Sequence, residues 1–208
     1  YRIEGQSFWN DEGTSAALAT RDLAAITRGA ANDIHPPLYY YLLHFWTQVV
    51  GSGDGAIRSL SAVLGTLLVF LVYLIGRDSL GPRTGLLASL FAAISPLGVY
   101  YSQEARMYIL VAVLGAASTL FFLRLLRQWE QQDAAPRHRL SAGYLVLSVL
   151  LLYSHYFAAT VVLAQNVAFL AWLFTAPDHS LRAALRRVRD WAGLQALLVL
   201  SFVPWLVP

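Results

Sequence analysis

The sequence contains no cysteine and no lysine, and few of its side chains are charged. Without cysteine there are no disulfides and no thiolate chemistry. Only 13% of the residues are charged, whereas a soluble domain carries about 25%. Since 57% of the residues are also hydrophobic, an ordinary soluble domain is excluded and a polytopic membrane protein is predicted. The formal net charge of +3 suits a protein that faces anionic lipid and requires no nucleic-acid partner.

The two ends of the chain suggest a piece of a longer protein. The sequence begins at Tyr1 in a polar segment without a signal peptide, and it ends at Pro208 inside an apolar run. We therefore expect a fragment that lacks a first membrane span and a C-terminal part.

Charge-free runs predict six membrane-spanning helices, because one span needs ~20 mostly apolar residues. The longest run, residues 140–177, would measure ~57 Å as one helix, so we expect two helices that turn near residues 153–157. The predicted spans are at about 58–76, 84–102, 107–126, 140–154, 156–175 and 191–207.

The first 57 residues are predicted to form an extracytoplasmic loop with juxtamembrane helices at about 13–28 and 35–50. The second of these opens with Pro36 and Pro37 and is rich in Tyr, Phe and Trp, which settle at the membrane–water boundary. It could be a short span or a helix that lies in the interface. We favour the interfacial placement.

Arginines predict the orientation of the spans. Three basic loops are separated by two spans each, so they fall on one side, and basic short loops mark the cytoplasm. These loops contain Arg77 and Arg83, then Arg124, Arg127, Arg137 and Arg139, then Arg182, Arg186, Arg187 and Arg189.

The opposite face then collects six polar side chains close to lipid, where an unpaired charge is costly. Each of them therefore needs a partner or a functional role. The six are Asp11, Glu12, His35, Glu104, Arg106 and His155.

Asp11 and Glu12 have two interpretations. Asn10 or Asp11 can cap the helix at 13–28, where acidic residues also favour the N-terminal dipole. Alternatively, a carboxylate here accepts a proton from a substrate hydroxyl.

The other polar residues of this face also have two interpretations each. His35 is either a neighbour of a helix N-terminus or a contact to a phosphate or sugar. Glu104 and Arg106 either pair with each other, although two residues apart is poor helical geometry, or bind an anion (Arg106) and a sugar, acceptor or metal (Glu104). His155 is either satisfied inside a helix turn or catalytic.

Several stretches resemble a known family in order. They are SFWNDEG, DIHPPLYYYLLHFW, RSLSAVLGTLLVFLVYLIGR, SPLGVYYSQEARMY and LLYSHYFA. Together they resemble integral-membrane glycosyltransferases of the GT-C superfamily, in particular bacterial relatives of protein O-mannosyltransferases and of the lipid A aminoarabinose transferase. The resemblance implies an all-α polytopic membrane bundle with juxtamembrane helices, located in the cell membrane. It also implies inverting transfer of a sugar from a polyprenyl-phosphate donor on the extracytoplasmic face.

The resemblance also implies roles for individual residues. Asp11 matches the catalytic acidic position, with Glu12 as its companion. The remaining candidates are expected to bind substrate or phosphate: His35, Glu104, Arg106 and His155. The sequence establishes no cofactor, and a divalent metal is one possibility, since Asp11 and Glu104 could both offer hard oxygen ligands. The expected partners are the lipid-linked donor, membrane lipids and an acceptor that the sequence does not identify.

Two other functions are compatible with a hydrophobic chain that crosses the membrane several times. A transporter would place ionisable groups near the middle of the membrane, whereas here the acids lie at one edge. A non-catalytic membrane scaffold is the second alternative, because the chain is expected to be partial.

Overall fold

The computed structural model describes residues 7–32, 35–131, 138–176 and 180–206, and these ranges contain helices and no strands. The predicted all-α fold is confirmed. The described helices are α1 (Asn10–Ala19), α2 (Leu23–Ala31), α3 (Leu38–Val50), α4 (Asp54–Leu80), α5 (Pro82–Ile94), α6 (Pro96–Tyr101), α7 (Tyr108–Glu130), α8 (His138–Leu152), α9 (Ala159–Thr175) and α10 (Leu181–Leu206), with a short 3₁₀ helix at Tyr156–Ala158 before α9.

Three helical segments of the described chain are long and apolar enough to cross a membrane. They are Asp54–Leu80, Tyr108–Glu130 and Tyr156–Thr175, and two shorter apolar helices are Pro82–Ile94 and His138–Leu152. The helix break predicted near residues 153–157 lies between α8 and the 3₁₀ helix. The count of six spans stays a prediction.

Helices α4 and α7 run in the same direction. At their N-terminal ends, Glu12 is bonded both to Arg58 of α4 and to the backbone of Ala105, just before α7. At their C-terminal ends, Asp78 of α4 pairs with Arg124 of α7 at 2.7 Å. We call the end of the bundle where α4 and α7 begin the site end.

Helix α3 lies across the site end. The backbone N–H of Leu38 donates to the carbonyl of Tyr153, directly after α8, at 3.1 Å. Near the other end of α3, the indole of Trp46 donates to the carbonyl of Ala56 in the first turn of α4, at 3.1 Å. Both ends of α3 therefore contact the same end of the bundle, and the interfacial placement of α3 stays a prediction.

Two predicted helices are interrupted in the structure. The stretch at 13–28 forms α1 and α2, because Asp22 caps a new helix by accepting from the Ala25 amide at 2.7 Å. Neither Asn10 nor Asp11 caps α1, whose N-cap residue is Trp9 without a side-chain hydrogen bond. The stretch at 84–102 breaks at Ser95, since Pro96 has no N–H to continue the α5 ladder and begins α6 instead.

The hairpin of α4 and α5 depends on small residues. Gly81 joins the helices with a φ of 96°, which glycine adopts without strain. The backbones then pass so closely that a Cβ on Gly85 would lie 2.7 Å from the Tyr73 carbonyl oxygen. Glycine at this crossing therefore permits the contact between the two helices.

A chain of polar side chains joins helices α7 to α10 inside the bundle. Gln165 donates to Ser118 at 3.1 Å and accepts from Tyr144 at 3.1 Å. Gln195 donates to the Tyr144 hydroxyl, and Asn166 donates to Gln195. Each amide thus has a partner on another helix, which stabilises the packing of the helices without exposing polar groups to lipid.

Candidate active site

The buried carboxylate of Glu12 is held by Arg58. Nε of Arg58 donates to Oε1 at 2.9 Å, and Nη2 donates to Oε2 at 2.5 Å. The backbone N–H of Ala105 also donates to Oε1, at 2.9 Å. Glu12 therefore fastens α1 to the start of α4 and to the loop before α7, which is residues 102–107.

These partners determine the charge of Glu12. Burial by itself would raise the pKa of the Glu12 carboxyl, but the hydrogen bonds from Arg58 and Ala105 outweigh burial, and the pKa lies below its ordinary value. Glu12 is thus ionised at neutral pH with both carboxylate oxygens occupied.

The neighbouring acid, Asp11, has a different environment. Its side chain is 44% exposed, and its Oδ2 lies 3.5 Å from Nη2 of the buried Arg106. Nη1 of Arg106 also donates to the Asp11 carbonyl at 3.3 Å. The structure therefore brings together two predicted site residues that are far apart in sequence, and leaves the Asp11 carboxylate accessible.

Glu104 lies beside this pair in the loop at 102–107. The Ser61 hydroxyl donates to its backbone carbonyl at 2.5 Å, which fixes the loop against α4. Within the described chain, no ion pair joins Glu104 to Arg106; Arg106 pairs with Asp11 instead. The described chain therefore lacks the Glu104–Arg106 ion pair that was one interpretation of the sequence, because the partner of Arg106 comes from α1.

Two buried polar atoms of this loop make no hydrogen bond within the described chain: Oε2 of Glu104 and Nε of Arg106. Buried polar groups in folded proteins are nearly always paired. Unpaired donors and acceptors that are close together are the kind of surface that receives a polar ligand or water.

His35 and His155 form the other side of the candidate site. Their ring centroids are 5.1 Å apart in an edge-to-face arrangement. The His155 ring also lies 6.2 Å from that of Tyr108, and the Arg106 guanidinium lies 5.8 Å from the Tyr108 ring. Tyr108 therefore links the histidine pair to the Asp11–Arg106 pair at the site end.

The structure thus gathers the predicted polar residues at one end of the bundle. Two residues of this cluster, Arg58 and Tyr108, are not among the predicted site residues. Arg58 carried a usable signal, because an arginine on the side opposite the basic loops requires a nearby carboxylate. Tyr108 had no such signal, since aromatic residues at the ends of apolar helices are common.

The donor set does not favour a metal centre in the described chain. No group of three or more His, Asp or Glu side chains is arranged there to hold a metal ion. The Asp11 carboxylate faces the Arg106 guanidinium. A positive charge at this position favours a bound anion over a bound cation.

Comparison of the sequence with known protein families identifies the family of this chain. Residues 34–206 match the family described as dolichyl-phosphate-mannose-protein mannosyltransferase. The chain belongs to this family. No curated protein and no solved structure gives a significant match to it.

Membership of this family implies the general activity of the chain. It is a membrane glycosyltransferase of the mannosyltransferase-like type, and the family description implies a lipid-linked sugar donor. The match covers the segments that carry His35, Glu104, Arg106 and His155. Asp11 and Glu12 precede the matched range, so their roles depend on the sequence resemblance and on the contacts described above.

Proposed function

We propose that this chain moves a sugar from a polyprenyl-phosphate donor to an acceptor hydroxyl on the extracytoplasmic face, with inversion and with Asp11 as the base. The observation that carries the proposal is the accessible Asp11 carboxylate, fixed 3.5 Å from the buried guanidinium of Arg106. A base and an anion-binding group are therefore adjacent, as transfer from a lipid phosphate requires.

The proposed reaction is a single displacement at the anomeric carbon. The acceptor oxygen forms a bond to that carbon while the bond from carbon to the phosphate oxygen breaks. The electron pair stays on the departing polyprenyl phosphate, and the hydroxyl proton moves to Asp11. Attack on the face opposite the leaving group inverts the anomeric configuration.

Arg106 and the two histidines are proposed to bind the phosphate. The Arg106 side chain is only 5% exposed, so its attraction for an oxyanion is weakly screened by water. Glu104, with one unpaired carboxylate oxygen, is proposed to accept a hydrogen bond from a sugar or acceptor hydroxyl. Glu12 is proposed to position Asp11 and the loop, because Arg58 and Ala105 occupy its oxygens.

The charges at the two ends of the bundle support the proposed extracytoplasmic placement. Arg77, Arg124 and Arg127 lie near the C-terminal ends of α4 and α7, away from the site end. Arginine-rich ends face the cytoplasm in most membrane proteins. The site end would then face outward, and a lipid-linked donor could reach it from the bilayer.

The absence of cysteine makes this orientation easy to test. Gln103→Cys marks the site end, where the side chain is partly exposed, and Ser79→Cys marks the opposite end, where the side chain is exposed. An impermeant thiol reagent applied to intact cells should label position 103 and should label position 79 only after permeabilisation. The reverse pattern would contradict the placement.

The transfer itself is tested with purified protein in liposomes that contain polyprenyl-phosphate-mannose, with a serine-containing peptide as the acceptor probe, in keeping with the family description. The reaction should release polyprenyl phosphate and give a product of inverted anomeric configuration. Release of a sugar phosphate, or retention of configuration, would contradict the proposed displacement.

A further inference from the structure

The ring of His155 is held in one orientation by its own backbone turn. The amide N–H of Phe157 donates to Nδ1 of His155 at 3.0 Å, so that His155 caps the 3₁₀ helix Tyr156–Ala158. The Phe157 ring stacks on the imidazole with centroids 5.5 Å apart. The side chain is therefore fixed by a hydrogen bond on one nitrogen and by ring contact on one face.

This hydrogen bond determines the position of the proton. A nitrogen that accepts a hydrogen bond from an amide cannot itself carry hydrogen, so the neutral ring has its N–H at Nε2. The structure gives Nε2 no hydrogen-bond partner within the described chain. His155 therefore presents one N–H donor of fixed direction and has no free lone pair.

The groups around His155 favour the neutral ring. Burial lowers the pKa of His155, and the nearby His35 and Arg106 lower it further. The Tyr108 ring also lies near the imidazole, at 6.2 Å between centroids. At neutral pH the imidazole is uncharged, which keeps Nδ1 available for the Phe157 amide.

We propose that Nε2–H of His155 donates a hydrogen bond to a non-bridging oxygen of the donor phosphate and holds it while the sugar departs. This inference rests on the proposed transfer from a lipid-linked sugar phosphate. His155 is then a catalytic residue that stabilises the leaving group without transferring a proton. It cannot serve as the base, because its only lone pair is used by the Phe157 amide.

The role is divided between His155 and Arg106. Cleavage of the bond to the sugar leaves an additional negative charge on the phosphate. Arg106 supplies the positive charge, and His155 supplies a directed hydrogen bond; both side chains lie beside the Tyr108 ring. A neutral donor at this position avoids adding a second positive charge next to Arg106.

Two substitutions separate the donor from the cap. In His155→Asn, the short amide can accept from the Phe157 N–H, as asparagine does at helix N-termini, but it does not reach the position of Nε2. In His155→Gln, the longer side chain places an N–H near the position of Nε2 and is a poorer cap. The two variants are otherwise similar in polarity.

The variants are compared in the liposome transfer assay, with unfolding temperatures measured on the same preparations. His155→Asn should keep the wild-type unfolding temperature and lose about 10²-fold in kcat, the loss typical of removing one oxyanion donor. His155→Gln should retain most of kcat. Higher activity in the Asn variant, or equal activity in the two, would overturn the assignment.

Wild-type protein in the same assay distinguishes the failure of this inference from the failure of the proposed function. Absence of sugar transfer by the wild type would remove both. Transfer by the wild type, with the Asn variant more active than the Gln variant, would leave the proposed function intact and reduce His155 to a structural cap.

Discussion

Both carboxylate oxygens of Glu12 are bonded to Arg58, at 2.9 and 2.5 Å. The next residue toward the N-terminus, Asp11, keeps an accessible carboxylate. Two adjacent acids thus have separate environments, and the division of roles follows from this difference. Glu12 holds the site together, and we propose that Asp11 is the acid that reacts.

The Glu12–Arg58 pair should be strongly coupled in stability. Glu12→Leu or Arg58→Met alone leaves an uncompensated buried charge and should cost about 3–5 kcal/mol. The double variant removes both charges and should cost far less than the sum of the single losses. Additive losses in a double-mutant cycle of unfolding free energies would show that the pair is not coupled.

The same pair predicts acid sensitivity. The pKa of Glu12 lies below the ordinary value of 4.5, so its contribution to stability is fully present above that value. It is lost as the pH falls through the lowered pKa, because the unfolded chain then binds more protons than the folded chain. The unfolding temperature of the wild type should therefore fall more steeply below pH 4.5 than that of the Glu12→Leu, Arg58→Met double variant. Parallel curves would contradict this contribution.

The close crossing of α4 and α5 should not tolerate a side chain at Gly85. Gly85→Ala places a Cβ 2.7 Å from a backbone oxygen and should cost about 1–3 kcal/mol. Gly193→Ala is the matched control, because a Cβ at Gly193 meets no atom within 4 Å and alanine favours helix. Thermal unfolding in detergent compares them, and equal effects would mean that the helices do not cross as described.

The polar network between α7 and α10 should contribute to bundle stability. Gln165→Leu removes the donor to Ser118 and leaves the Tyr144 hydroxyl without its acceptor, and it should cost about 1–2 kcal/mol. The control is Gln48→Leu, the same change at an exposed position of α3. A loss no larger than that of the control would show that the network does not stabilise the bundle.

The sequence allowed a good part of this arrangement to be predicted, because charge-free runs and the positions of arginine are local signals. They gave the helical class and the gathering of the polar residues at one end. They do not indicate the partner of Arg106, which is Asp11, 95 positions earlier in the sequence. Contacts of that range depend on how helices pack and leave no pattern in the adjacent residues.

The breaks in the helices show a second limit. Ser95 and Pro96 interrupt an apolar run that charge alone predicts as one span, and Asp22 starts a helix inside a predicted one. Both breaks have local causes in proline and capping chemistry. A prediction based on the length of apolar runs alone, without the proline and capping signals, therefore gives helices that are too long.

The most direct measurement for the whole account is the kcat for sugar transfer by the Asp11→Asn variant. Asparagine keeps the size of the side chain but cannot accept the hydroxyl proton, so kcat should fall about 10²–10⁴-fold with an unchanged unfolding temperature. The control Asp54→Asn removes an acid at the start of α4 and should leave kcat within a few-fold of the wild type. Wild-type kcat in the Asp11→Asn variant would contradict the central claim that Asp11 is the base.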